Sequence, residues 1–270
     1  MRWINRRPGR ALRVVLTVLP FLAVFAVYAL ASQARLAVNP ADRLLPAPAQ
    51  IAATAQRLVS EPDRRSGRIL FWRDTAASLG RLARGVAIAA AIGLVAGLAI
   101  GLFPVVQASL GGFVGVASMI PPLAVLPILF LTFGLGEAAK VALIAIGITP
   151  FLIRELAART AEIPREQIIK AQTLGASSLA ITLRVALPQI LPRLLGALRL
   201  ALGPAWLFLI AAEAIAAESG LGYRIFLVRR FLAMDVILVY VLWITALAFL
   251  LDLALRTLSR RAFAWMEPAP

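Results

Sequence analysis

Residues 162–178 read EIPREQIIKAQTLGASS, a polar stretch set between two apolar runs of membrane-spanning length. Pro164 suits a first helical position, where its missing N–H is no loss, and Glu166 falls in the first turn, where negative charge favours a helix N-terminus. Ile168, Ile169, Ala171 and Leu174 then lie roughly on one face at helical spacing. Gly175 is a natural helix stop. A second short helix is expected after it, ending before Pro188. The stretch reads as two short helices hinged at glycine, outside a bilayer, and the fold class depends on what flanks it.

What flanks it is apolar. A hydrocarbon core about 30 Å thick needs roughly 20 apolar residues of helix, and six stretches qualify: about Val14 to Ala31, Gly85 to Phe103, Phe113 to Phe133, Ala139 to Ile153, Leu195 to Ala216 and Val236 to Leu255. The expected class is an all-α membrane protein with six transmembrane helices. The first run follows a basic leader with Arg2, Arg6, Arg7, Arg10 and Arg13. It is longer than the core of a cleaved signal peptide and more spans follow, so it reads as a retained helix. An even number of spans puts both termini on one side. The expected organisation is 1–31 for leader and first span, 32–84 for an outer or interfacial segment rich in Pro and Arg, 85–260 for a five-helix core enclosing the polar loop 154–193, and 261–270 for a tail.

Composition agrees and excludes much else. The chain of 270 residues is 61% hydrophobic and 15% charged, with 28 basic residues against 13 acidic and neither His nor Cys. Thiolate nucleophiles, Ser-His-Asp triads, disulfides and the usual zinc sites are thereby absent from its chemistry. The net charge of +15 would suit a nucleic-acid binder, but the arginines flank apolar runs, as a bilayer selects. No Gly-x4-Gly-Lys-Ser/Thr phosphate loop is present, and the only lysines are Lys140 and Lys170. The positive-inside bias does not fix orientation, because the arginine-rich 32–84 segment offsets the other loops.

Within the spans, Gly93, Gly97 and Gly101 recur every fourth residue, which lets a neighbouring backbone approach; packing inside the chain is the simpler reading. Pro121, Pro122, Pro127 and Pro150 interrupt spans three and four, either lining a pathway or simply kinking the helices. Glu213 is the deepest acid of span five. It is either a functional group or half of an ion pair with Arg224 or Arg229.

Gly175 followed by Val185-Ala-Leu-Pro188 resembles the EAA loop of permease subunits of bacterial ABC importers, although the opening triplet, Ile169-Lys170-Ala171, keeps only its third position. The resemblance spans about Ala76 to Leu255. The segments Ala76-Ala-Ser-Leu-Gly-Arg81, Ile120-Pro-Pro, Phe133-Gly-Leu-Gly-Glu-Ala-Ala-Lys140 and Ala201 to Tyr223 resemble the nitrate, sulfonate, taurine and bicarbonate group. Phe71-Trp72, Gly203-Pro-Ala-Trp206 and Phe226-Leu-Val-Arg-Arg230 resemble the branch accompanying urea or guanidine carboxylases.

This resemblance implies a type I importer permease with a cytoplasmic two-helix coupling loop, in a bacterial inner membrane with both termini cytoplasmic. It implies a homodimer, two copies of an ATP-binding cassette subunit and a periplasmic substrate-binding protein, with no cofactor, no metal and no enzymatic activity of its own. The solute would be small and polar: guanidinium or a urea-like compound, otherwise nitrate, sulfonate, taurine or bicarbonate. Coupling falls to Lys170, Ala171, Leu174, Gly175 and Ala176, and the pathway to Pro121, Pro122, Thr149, Trp206 and Glu213. The rivals are a stand-alone secondary transporter, which would leave the two-helix loop without a role and lacks convincing repeats, and a membrane enzyme or scaffold.

Overall fold

The apolar runs become long helices, and every regular element among the described residues is helical. The computed structural model describes residues 9–63 and 66–266; Arg2, Arg6 and Arg7 of the leader and positions 267–270 of the tail lie outside them. Helix α1 is Arg10–Val38, α2 Pro48–Ser60, α3 Leu70–Leu102, α4 Pro104–Ala117, α5 Pro122–Phe133 and α6 Glu137–Ala161. Next come α7 Arg165–Thr173, α8 Ser178–Ile181, α9 Leu187–Ala216, α10 Leu221–Arg229 and α11 Met234–Ala262, then a 3-10 turn at Ala264–Met266.

Among the described residues five helices are long and apolar enough to cross a membrane, six if the bent pair α4 and α5 counts as one span. The expected third span is therefore not one helix. Ile120 precedes a proline and Pro121 precedes another, and a residue before proline avoids the helical region. Pro121 is accordingly extended (ψ 116°) and caps α5, with Pro122 at its first position, and the two helices meet at 94°.

A second departure concerns Pro188. The short helix after Gly175 does not stop before it: α8 passes through a π-helical turn, Thr182–Ala186, directly into α9. Leu187 N–H reaches back five residues to the Thr182 carbonyl. Such a turn accommodates the proline's missing donor without breaking the helix. The fifth span is thus continuous from Ser178 to Ala216.

Helices α3 and α6 form the centre. A Cβ added at Gly85, Gly93, Gly97 or Gly101 would lie 2.7, 2.7, 2.6 or 2.4 Å from the Cβ of Ile144, Leu152, Leu156 or Thr160 respectively. Small residues four apart on α3 thus face large residues four apart on α6, in parallel and with an unchanging sequence offset. Ala89 and Ile148, both fully buried, continue the series. The glycine stripe is internal packing, as the simpler reading held. Helix α9 closes on α6 where Phe208 covers Gly147, and an Arg199–Asp252 ion pair at 2.7 Å joins α9 to α11.

Helices α1 and α2 are peripheral. Helix α1 exposes apolar side chains along its length, Phe21 at 75% and Val24 at 72% among them. Its far end is held by Tyr28 O–H donating to the Pro46 carbonyl and Ser32 to that of Leu45. Helix α2 packs Ile51, Ala55 and Leu58 against the core, and Thr54 donates to Asp235 of α11 at 2.7 Å.

Candidate functional site

Three features converge on α6: an ion network at its first turn, a groove along its flank and the two-helix loop beyond its end. The network begins on α3, where Asp74, Ser78 and Arg81, spaced four and three apart, share one buried face. Arg81, 3% exposed, binds Glu137 at the start of α6 bidentately, Nε and Nη2 each 2.7 Å from a carboxylate oxygen. Its Nη1 donates at 2.7 Å both to Glu213 of α9 and to the Ser219 carbonyl. With Nη2 also donating to Ser219 Oγ at 3.3 Å, all five donors of the guanidinium are engaged. Lys140, also buried, reaches Glu137 at 3.1 Å.

Glu213 is completely buried and paired, but with Arg81 rather than with Arg224 or Arg229. Arg224 instead binds Asp74 at 2.8 Å, and Arg229 lies over the Phe226 ring. Burial opposes the charge on Arg224, but the hydrogen bond and field of Asp74 outweigh it and raise its pKa. The same carboxylates and Ser78 cap α10. Backbone N–H groups of Gly220, Leu221 and Gly222 donate to Asp74, Ser78 Oγ and Glu213 at 3.0, 2.8 and 2.8 Å. This explains the glycines of Gly220-Leu-Gly-Tyr223: a Cβ on Gly220 would sit 2.5 Å from the Glu213 carboxylate, and its φ of +127° suits glycine alone.

The groove consists of two cavities on the flank of α6. One, of about 870 Å³, lies between α3 and α6 and is lined by Arg84, Ile88, Glu137, Thr149 and Pro150. The other, of about 680 Å³, lies between the α4–α5 elbow and α6 and includes Ser118, Pro122, Pro150 and Arg154. Ile146 and Pro150 belong to both. Pro150 has no N–H, so the Ile146 carbonyl at this junction lacks its helical donor. Arg154 ties the elbow to α6 by donating to Ser118 Oγ at 2.9 Å.

The structure brings together only part of the expected pathway set. Pro122 and Thr149 line the two cavities, and Pro121 is the exposed cap of the elbow. Trp206 and Glu213 are buried in α9 and line neither. Among the described residues, Trp206 Nε1 is the buried side-chain polar atom without a partner. Sequence reasoning missed Asp74, Ser78, Arg81 and Arg154. The first three carry a legible signal, a polar stripe on one face at the start of an apolar helix.

Beyond α6, Ile163 is buried and anchors the loop, while α7 stands outside the bundle. Its C-terminus is a Schellman motif: Ala176 N–H donates to the Ala171 carbonyl and Gly175 N–H to that of Gln172, with Gly175 at φ +79°. Leu174 is 88% exposed and Ile169 55%. The expected coupling residues thus occupy one exposed helix end whose shape Gly175 sets.

The comparisons agree with this architecture. The taurine transport system permease TauC of Escherichia coli is 39% identical over 195 residues, 72% of this chain and 71% of its own length. The bicarbonate permease CmpB of Synechococcus elongatus is 34% identical over 200 residues, covering 73% and 68%. In structure, a chain of the inward-facing methionine ABC transporter MetNI superposes with a TM-score of 0.63 at 22% identity, covering 71% of this chain and 95% of that one. The fold is that of a type I ABC importer permease, a multi-pass inner-membrane subunit without enzymatic activity of its own; ATP is hydrolysed by a separate subunit. With residues 89–264 matching the family model of the binding-protein-dependent transport system inner membrane component, the chain belongs to that family of ABC transporter permeases.

Proposed function

We propose that two copies of this chain form the membrane pathway of an ATP-driven importer, with α7 docked on two ATP-binding cassette subunits and a substrate-binding protein delivering solute at the opposite end. The observation that carries this is the exposed end of α7: apolar Leu174 and Ile169 project from a capped helix beyond the spans, where water alone would not favour them. That end is then cytoplasmic and both termini lie inside, with α2 and α10 outside. The groove along α6 is the pathway face, with Pro121, Pro122 and Thr149 on it. Glu213 acts by holding α3, α9 and α10 together. Nucleotide and loaded binding protein each favour one of two states, inward-open and outward-open.

For the solute, sulfonate- or carbonate-type compounds fit better than guanidinium or urea. The relatives named above are permeases for taurine and bicarbonate. Three of the residues resembling the guanidine branch pack within the bundle. Phe71 and Trp72 pack with Trp243 at ring-centroid distances of 5.3 and 5.7 Å, and Trp206 is in the core.

The test is Gly175→Leu in proteoliposomes with ATPase and binding protein. Its added Cβ meets nothing within 4 Å, so the chain inserts normally. The positive φ costs about 1–2 kcal/mol for a side-chain-bearing residue and disorders the docking end. Solute-stimulated ATP hydrolysis should be lost; retention at the wild-type level defeats the coupling role.

A further inference from the structure

The outer end of α6 holds a cavity of about 550 Å³ lined by Arg81, Gly136, Glu137, Lys140, Glu218 and Ser219 among others. Most of the charge here is already neutralised. Every donor of Arg81 is engaged, and Glu137 accepts from Arg81 and Lys140 with Arg84 a further 3.5 Å away. Three groups keep unused capacity. Lys140, only 4% exposed, makes one of the three hydrogen bonds an ammonium can donate. Ser219 Oγ accepts from Arg81 at 3.3 Å and keeps its own hydrogen. The Glu218 carboxylate, exposed at the rim, has no hydrogen bond or ion pair among the described residues.

We propose that this cavity is a solute site for a small zwitterion, one carrying an oxyanion and an ammonium group on a short chain. Lys140 and the Ser219 hydroxyl donate to the oxyanion on the floor, and Glu218 accepts from the ammonium at the rim. A buried ammonium with unfilled donors is costly, so the floor favours an anionic or hydrated occupant. A purely anionic solute leaves Glu218 unused and faces its repulsion. A purely cationic one, guanidinium included, meets Lys140. Only a molecule bearing both signs satisfies both groups. The proposal rests on the importer reading, which places this cavity where solute arrives, and it assigns an aminosulfonate or amino-acid type of cargo.

The experiment measures equilibrium binding of radiolabelled taurine to the permease–ATPase complex in nanodiscs, without the binding protein, with ethanesulfonate, ethylammonium and guanidinium as competitors. Taurine should bind, with each single-signed competitor weaker by about tenfold or more. Glu218→Gln should weaken taurine about fivefold, as expected for the loss of one rim ion pair, while ethanesulfonate, freed of the rim carboxylate's repulsion, binds more tightly. Lys140→Gln should weaken both. Lys140 also supports Glu137, so the exposed Glu218 variant keeps the test independent of folding. No taurine binding, equal affinity for taurine and ethanesulfonate, or a Glu218→Gln variant indistinguishable from wild type overturns the proposal. ATP-dependent uptake of some other solute by the same complex would then leave the importer reading standing.

Discussion

Replacing Gly97 by alanine tests the central packing at a single methyl group. The new Cβ would lie 2.6 Å from Leu156 Cβ, 3.2 Å from the Ala157 nitrogen and 3.3 Å from the Ile153 carbonyl oxygen. Carbon atoms in good contact stand about 3.5–4.0 Å apart, so α3 and α6 must separate by about 1 Å. Two of the three obstructing atoms are backbone and cannot rotate aside. Overpacking of this kind costs about 1–3 kcal/mol, against which alanine's better helix propensity returns about 1 kcal/mol. Gly80→Ala, on the same helix with nothing within 4 Å, supplies the propensity gain alone, so the difference between the two variants isolates the packing cost. Thermal unfolding in detergent should place Gly97→Ala below Gly80→Ala by roughly 2–4 °C for each kcal/mol. Leu156→Ala should not rescue it, because the offending Cβ remains. Gly147→Ala, whose Cβ meets the Phe208 ring at 2.4 Å, should cost less in a Phe208→Ala background than in the wild type. Equal melting of the Gly97 and Gly80 variants would refute the α3–α6 register.

Other outcomes follow from the ion network and the loops. Arg81→Met strands a buried carboxylate and should cost about 3–5 kcal/mol, whereas Arg81→Met combined with Glu213→Gln should recover part of that loss in the same melt. Gly220→Ala forces a Cβ onto the Glu213 carboxylate and should loosen α10, read as faster amide exchange over 220–229. Asp42 is held below the ordinary carboxylate range by the Leu44 N–H and then by Arg35. Its stabilising effect is present above the unfolded pKa of about 3.9 and lost as pH falls through the lower folded value. Proteolysis within 39–47 should therefore accelerate in that acid window, and Asp42→Asn should show the faster cleavage at neutral pH.

Length and hydropathy revealed the spans because a bilayer selects both directly, and Gly175 revealed the helix stop because only glycine takes its backbone angle without strain. The stripe Gly93, Gly97, Gly101 was legible as close packing. Its partner was not, since Ile144, Ile148, Leu152 and Leu156 look like any apolar span until the two helices are laid side by side. Pro121-Pro122 announced a break but not its angle. Pro188 misled, because a π turn absorbs a missing donor that local rules treat as a terminus. Glu213 stood out as a buried acid, yet its partner Arg81 lies far away in sequence and looked like an ordinary span-flanking arginine. Depth along a helix is a tertiary property, and the arginine's position in the bundle follows from α9 and α10 closing over it.

The interlock of α3 and α6 sets how force can pass through the molecule. Side chains of one helix fill the notches of the other from Gly85 to Thr160, so the two cannot slide or hinge separately without clashing at every turn. They behave as one rigid strut. The 25 residues of α6 make a rod about 37 Å long, with α7 bolted to one end through Ile163 and the Glu137 ion cluster at the other. A push on α7 therefore arrives at the far cavity as tilt of the whole strut rather than being dissipated in bending. The give is left to the α4–α5 elbow, where an Arg154–Ser118 hydrogen bond spans the joint.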